Sequence, residues 1–289
     1  IREGKIVIVA GFQGITEDGE ITTLGRGGSD TSAVALAAAL GADRCDIYTD
    51  VTGVYTADPR YIPSARQLST ISYDEMLELA NLGAGVLHPR SVEFAKNYQI
   101  PLVVRSSTEK VEGTYVLEET IMEENLVVRG VAFEKDITKL TVYGLSNEIA
   151  SLSSVFTPLA KNNVNVDIII QNASDQNLNT LSFSIKTDEL QEALQVLEEH
   201  KESIGYDHIE YESGLAKVSI VGSGMISNPG VAAQMFASLA EKDIFVKMVS
   251  TSEIKVSAVV NEDQMLKAAE ILHDVFGLSK VEQEVSVAK

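Results

Sequence analysis

The sequence predicts an α/β layer over residues 1–117, followed by two small α+β units of the ferredoxin-like βαββαβ kind. Three observations carry this. Apolar strand-like runs alternate with helical runs in the first part. A strand–helix–strand–strand–helix order occurs twice in the second part. Between them, Glu118–Asn125 holds four Glu in eight residues, which reads as a solvated linker over 118–125.

The elements of the first part follow from local chemistry. Ile6–Ala10 is an apolar run of strand type, followed by a turn at Gly11-Phe12-Gln13-Gly14. Asp18-Gly19 marks a hairpin turn. Ala33–Leu40 is Ala-rich and helical, and Gly41 stops it. Cys45–Tyr48 is a short strand. Ser72-Tyr73-Asp74-Glu75 is a capping box that opens a helix to about Asn81. A helix over Ser91–Asn97 and a strand over Pro101–Arg105 complete the layer.

The duplication is visible residue by residue. Lys139-Leu-Thr-Val-Tyr-Gly144 matches Lys217-Val-Ser-Ile-Val-Gly222, and Leu159–Val166 matches Leu239–Val246. The strand Leu181–Ile185 precedes a helix from Asp188 to about His200, as Val256–Val260 precedes Glu262–Phe276. Two copies are too few for a solenoid, and a pair of half-sites for a regulatory ligand suits them better. Asn228-Pro229-Gly230 offers an N-cap followed by Pro at the first helical position. Pro158 lies inside the corresponding helix of the first copy, Ser151–Asn162, and predicts a kink there.

Composition excludes several classes. The formal net charge is −19, which disfavours nucleic acid as a partner, since phosphate neutralisation needs clustered Lys and Arg. A local positive site for a phosphorylated small molecule is still compatible with that charge. The single cysteine, Cys45, excludes an internal disulfide framework and any CxxC metal site, and fits a cytoplasmic setting. No apolar run is long enough for a membrane helix. His88, His200, His208 and His273 are scattered without metal-ligand spacing, so no protein-held metal is expected. The chain opens Ile-Arg-Glu-Gly-Lys without an initiator Met and enters an apolar run at once, which predicts a missing preceding segment.

The most informative stretch is Gly25-Arg26-Gly27-Gly28-Ser29-Asp30. Glycines let backbone N–H groups converge, and a helix starts at the same point, its cap expected from Ser29 or Asp30. With Arg26 beside them, these donors form a site for a phosphate or carboxylate. A second stretch, Tyr48–Arg60, places Thr49 and Asp50 at the C-terminal end of a strand, where open α/β sheets bind ligands. Tyr55 could stack on a base and Arg60 could reach phosphate.

These motifs resemble the aspartate kinase (aspartokinase) family, most closely its lysine-pathway type from Bacillus-like bacteria, over the whole chain. The resemblance rests on GFQG at 11–14, TTLGRGGSDTSA at 22–33, TDVTGVYTADPR at 49–60, LHPRSVEFA at 87–95 and VSTSEIKVS at 249–257. It implies the C-terminal portion of an amino-acid-kinase domain over 1–117. It further implies a first ACT domain over 136–205 and a second over 126–135 and 206–289, the strand near Val127–Phe133 completing the second. The implied reaction is ATP-dependent phosphorylation of the L-aspartate side chain to 4-phospho-L-aspartate, with Mg2+ arriving as part of the ATP complex.

By the same resemblance, Phe12, Arg26 and Ser29 bind aspartate, and Arg26, Ser29 and Asp30 take catalytic roles. Thr49, Asp50, Tyr55 and Arg60 bind nucleotide. Effector positions are Asn147, Ile149, Asn165, Asp167 and Gln171 in the first unit, and Val231, Ile244, Phe245, Thr251 and Ser252 in the second. Asp167, taken as an exposed strand-end carboxylate, is offered as counter-charge for an effector ammonium. L-lysine is the expected effector, with L-threonine as a second one, bound where ACT units associate across chains of a homo-oligomer.

The sequence also departs from the family. The Lys-Phe-Gly-Gly-Thr-Ser segment whose Lys stabilises the transferring phosphoryl group is absent, as is the Glu that binds the substrate amine, so this chain alone is expected to be inactive. Gly85 stands where some members carry a nucleotide-contacting Lys, and Asn147-Glu148-Ile149-Ala150 stands where Asp-Lys-Pro-Gly is frequent. A non-catalytic effector-binding subunit, working with a longer catalytic subunit, is the alternative. A kinase for another amino acid such as glutamate is disfavoured by the tandem units.

Overall fold

The computed structural model describes residues 3–118, 126–146, 150–172 and 178–279. In chain order the strands and helices are β1 (Gln13–Ile15), β2 (Ile21–Thr23), α1 (Gly28–Leu40), β3 (Cys45–Thr49), β4 (Thr70–Ser72), α2 (Tyr73–Asn81), α3 (Pro89–Tyr98), β5 (Leu102–Ser106) and β6 (Thr114–Leu117). The second part contains β7 (Gly130–Ser146), α4 (Ser151–Lys161), β8 (Ile169–Asn172), β9 (Leu178–Lys186), α5 (Leu190–Glu199), α6 (Lys201–Ile204), β10 (His208–Val221), α7 (Val231–Ala240), β11 (Met248–Thr251), β12 (Lys255–Asn261) and α8 (Met265–Val275).

The first part is a layered α/β unit. Its four-stranded sheet has the order β3-β5-β6-β4, with β3–β5 and β4–β6 parallel and β5–β6 antiparallel. Val34 of α1, Met76 of α2 and Val92 of α3 are fully buried against Leu102 and Val104 of β5. The helix ends obey the local signals. Gly41 closes α1 in the left-handed region, and Ser72 with Glu75 forms a complete reciprocal capping box on α2. The hairpin β1–β2 pairs Ile15 with Ile21 around Gly19, whose φ is 84°.

Three local expectations are corrected. Ile6–Ala10 joins no sheet among the described residues, and its Ile6 and Ile8 are 96% and 94% exposed. Strand-type composition makes a strand only where a neighbour can pair with its N–H and C=O groups. The helix predicted at Ser91 starts at Pro89, because His88 caps it and Pro at the first position costs no hydrogen bond. The cap of α7 is Gly230, with φ 108°, rather than Asn228, so Pro229 lies before the helix. Helix α4 runs through Pro158, which lies near its C-terminal end.

The two repeats share one six-stranded sheet of order β11-β12-β10-β7-β9-β8. Strand β7 is 17 residues long and serves both. Its first residues, 130–134, pair with Lys217–Val221 of β10, beside β12 and β11. Its later residues, 139–143, pair with His208–Glu212 of β10, beside β9 and β8. Register shifts mark the changeover, where Asp136 has φ 59° and Gly214 has φ 72°. Helices α4 and α5 cover one half through Val155, Leu159 and Leu197, and α7 and α8 cover the other through Met235, Leu239 and Leu272.

The α/β unit and the sheet interlock. Ala132 of β7 and Val221 of β10 belong to the core of the first part, while Ala57 and Ile62 belong to that of the second repeat. Glu75, fully buried, accepts hydrogen bonds from the Ser223 N–H (2.8 Å) and hydroxyl (2.7 Å), across the boundary. Lys255 pairs with Glu78 at 2.8 Å beside it.

Candidate functional site

The glycine loop is shaped by sterics on both sides. Gly27, with φ 72°, is itself the N-cap of α1, and no side chain caps the helix. The expectation of a Ser29 or Asp30 cap is therefore corrected: those residues lie within the first turn. A left-handed cap here requires glycine; the Gly28 N–H turns back to the Gly25 carbonyl at 3.1 Å, and no side-chain acceptor covers the first turn. A Cβ at Gly27 would lie 2.4 Å from the His88 ring, and one at Gly28 would lie 3.0 Å from the Phe12 ring. His88 and Phe12 thus wall the loop. Phe12, at φ 66°, is held by its N–H to Ser32 Oγ at 3.1 Å, and Ser32 in turn donates to the Gly28 carbonyl at 2.8 Å. Arg26 is exposed on the loop and Ser29 in the first turn of α1, and Ser29 Oγ lies 3.4 Å from the Asp30 carboxylate.

The second stretch forms a cleft of about 320 Å3. Thr49, Asp50, Tyr55 and Arg60 all line it, so the structure brings together the four residues predicted from sequence. The loop is rigid. Val54 N–H donates to Thr114 Oγ1 at 2.8 Å, Thr56 N–H to the Arg66 carbonyl at 2.9 Å, and Tyr55 OH lies 2.8 Å from Thr52 Oγ1. Gly53 is necessary there, since a Cβ would meet Thr114 Oγ1 at 2.4 Å. On the rim, Arg60 forks onto Asp58, with its closest contact at 2.7 Å. That hydrogen-bonded guanidinium holds the Asp58 carboxyl below its ordinary range. Gly85 faces the same cleft with open space where a side chain would stand.

Sequence reasoning passed over His273. It is fully buried on α8, with Nε2 3.0 Å from Thr56 Oγ1 and Nδ1 3.5 Å from Ser64 Oγ. It thereby ties the second repeat to the cleft loop. Burial holds its imidazole below the ordinary value; Asp274 works against this and Arg66 with it. The unfolded chain therefore takes up a proton first as pH falls through about 6.5. The contribution of His273 to stability is complete above that pH and is lost below it. Lowering the pH from about 7 to about 5 is expected to reduce Tm more in the parent chain than in His273→Gln. Parallel pH–Tm curves by calorimetry would rule this out.

Among the described residues, the predicted effector positions are not brought together within one chain. Asn165, Asp167 and Gln171 lie before and along β8, while Phe245, Thr251 and Ser252 lie before, at the end of and just after β11, at the opposite sheet edge. Val231 opens α7, and Ile244 is only 4% exposed, within the core of the second repeat. Asn147 and Ile149 lie outside the described residues. Asp167 is exposed just before β8, as expected, and it is ion-paired with Lys217, a largely buried lysine that also meets Glu134 at 2.9 Å. Among the described residues, no three His, Cys, Asp or Glu side chains converge on a possible metal position, and no helix is long and apolar enough to cross a membrane.

The layered unit with its glycine loop and cleft, joined to duplicated sheet units, defines an amino-acid kinase layer carrying tandem ACT domains. The amino acid kinase family pattern matches residues 1–106, and the ACT domain pattern matches 141–200 and 218–276. An aspartokinase from Bacillus sp. (strain MGA3) is 70% identical over 96% of this chain and 68% of its own length. Aspartokinase 2 of Bacillus subtilis is 68% identical over 97% of this chain and 68% of its own length. The aspartate kinase structure from Clostridium acetobutylicum aligns with a TM-score of 0.82 at 29% identity, covering 92% of this chain and 62% of that one. E. coli aspartokinase III, in complex with aspartate and ADP, aligns at 0.76 and 32% identity, over 92% of this chain and 59% of that one. The chain belongs to the aspartokinase family.

Proposed function

We propose that this chain carries aspartate- and nucleotide-binding elements of an aspartate kinase, which transfers the γ-phosphoryl group of ATP to the side-chain carboxylate of L-aspartate. The observation that carries the reading is the cleft in which Thr49, Asp50, Tyr55 and Arg60 converge. Mg2+ would arrive with ATP as part of the substrate. The glycine loop with Arg26 would hold the aspartate, Ser29 and Asp30 standing in the first turn of α1 beside it. The neighbouring E. coli enzyme, described with aspartate and ADP, supports that pair of ligands. Phosphoryl transfer rests on positioning and charge neutralisation, and Arg26 and Arg60 are the cations this chain offers at the two sites.

We further propose a cytoplasmic, feedback-regulated enzyme whose ACT units bind L-lysine, with L-threonine as the second effector to test. E. coli aspartokinase III in complex with lysine and aspartate aligns at a TM-score of 0.72. The placement of the two effector sets on opposite sheet edges supports sites completed between chains of a homo-oligomer. The unit limits proposed are 1–117, 136–205, and 126–135 with 206–289.

A double dissociation by calorimetry tests the assignment of the two sites. Arg26→Ala is expected to weaken aspartate binding by roughly 1.5–3 kcal/mol and leave MgADP unchanged, because a charge-assisted carboxylate contact is lost. Arg60→Ala is expected to weaken MgADP and leave aspartate unchanged. If Arg26→Ala weakens MgADP instead, the aspartate assignment is wrong. If the parent chain binds neither ligand, the reading fails.

A further inference from the structure

The nucleotide cleft has a wall that does not come from the kinase layer. Val131, Ala132 and Phe133 line it, and these belong to the first residues of β7, the strand shared by both ACT units. The contact is built rather than incidental. Val131 N–H donates to the Thr56 carbonyl at 2.8 Å, inside the loop that carries Tyr55 and Arg60. A Cβ at Gly130 would stand 3.2 Å from that same carbonyl. On the other side, the Phe133 carbonyl would be 3.4 Å from a Cβ at Gly83, which also lines the cleft. The Phe133 ring is held edge to face against Tyr61, with ring centroids 5.5 Å apart and planes at 83°.

The cleft is chemically divided. Thr49, Asp50, Tyr55 and the paired Asp58 and Arg60 are polar groups of its lining, and Leu79, Val86 and Phe133 are apolar. A nucleotide is divided in the same way, with a charged phosphate chain and a flat base that gains from an aromatic or aliphatic surface. We propose that Phe133 packs against the nucleoside moiety, so that the regulatory sheet supplies a binding residue to the nucleotide site. This rests on the reading of the cleft as the nucleotide site.

Calorimetric titration with MgADP and, separately, with inorganic tripolyphosphate tests it on the 289-residue chain. Phe133→Ala is expected to weaken MgADP about tenfold, as loss of a base-stacking surface does, and to leave tripolyphosphate unchanged. Phe133→Leu keeps an apolar side chain against Tyr61 and is expected to lose part of the same affinity, while Phe133→Tyr retains it. Equal MgADP affinity in Phe133→Ala and the parent, alongside weakening by Arg60→Ala, overturns the inference but not the nucleotide site. Parallel weakening of MgADP and tripolyphosphate also overturns it, since Phe133 would then only support the loop. Loss of neither ligand in Arg60→Ala, or no MgADP binding by the parent chain, removes the site itself and the inference with it.

Discussion

Glu75→Ala is expected to lower Tm by on the order of 6–20 °C. Glu75 is fully buried, and its two carboxylate oxygens serve different parts of the fold. Oε2 accepts from the Ser72 N–H at 3.1 Å and hydroxyl at 3.0 Å, completing the capping box of α2. Oε1 accepts from Ser223 on the ACT side, with Arg129 Nε 3.9 Å away. Alanine removes these acceptors together and strips a buried cation of a nearby counter-charge. Breaking such a pair costs about 3–5 kcal/mol, and in a domain of this size each kcal/mol shifts Tm by about 2–4 °C. Glu75→Gln keeps one acceptor oxygen and is expected to fall between. Calorimetry separates the outcomes, and a shift under about 2 °C would show that Ser223 and Ser72 find other acceptors.

The second large effect is expected at Lys217. Its side chain is 8% exposed and lies between Glu134 and Asp167, and Lys186 reaches Glu134 from the other side at 2.5 Å. Burial alone would raise the Glu134 carboxyl, but the hydrogen bonds from Lys186 and Lys217 hold it below its ordinary value. Lys217→Met removes the central cation and is expected to cost about 2 kcal/mol, less than a fully buried pair because Asp167 is half exposed. The pH dependence has a definite sign. A depressed carboxyl contributes fully above its unfolded value of about 4.3 and loses that contribution as pH falls through its folded value. The acid limb of the Tm–pH curve is therefore expected to flatten in Glu134→Gln. An unchanged acid limb would mean that the cluster does not govern acid stability. Asp167→Ala is likewise expected to lower Tm without any ligand, because Lys217 loses a partner.

Much of this was legible in the sequence, for reasons that differ by element. The capping box was readable because all its contacts lie within four residues, Ser72 to Glu75. The other half of Glu75's role was not, because Ser223 lies 148 positions away and nothing local marks it. The four cleft residues were legible as a motif following a strand, whereas Phe133 carries no motif and enters only through the path of β7. The glycine loop was read correctly as a helix start, but the cap was misplaced. Propensity favours Ser and Asp there, while the His88 ring against Gly27 is a tertiary contact that leaves no room for a Cβ. His273 was passed over because a lone histidine on a helix has no spacing signal; only the fold sets it against Thr56.

The crossed use of β7 and β10 has a consequence for synthesis. On the ribosome, residues 139–143 emerge early but cannot be flanked on both sides until 208–212 follow, after α6 has been made. Residues 130–134 wait longer still, for 217–221. The nascent first repeat is thus an open-edged sheet through most of its own translation, and its last partner strand is also the first strand of the second repeat. Such non-local pairing slows folding and leaves strand edges open to other chains. A ribosome-stalled series should therefore remain protease-sensitive in the first repeat until residues 208–212 are available, and in the second repeat until β12 and α8 have followed β10.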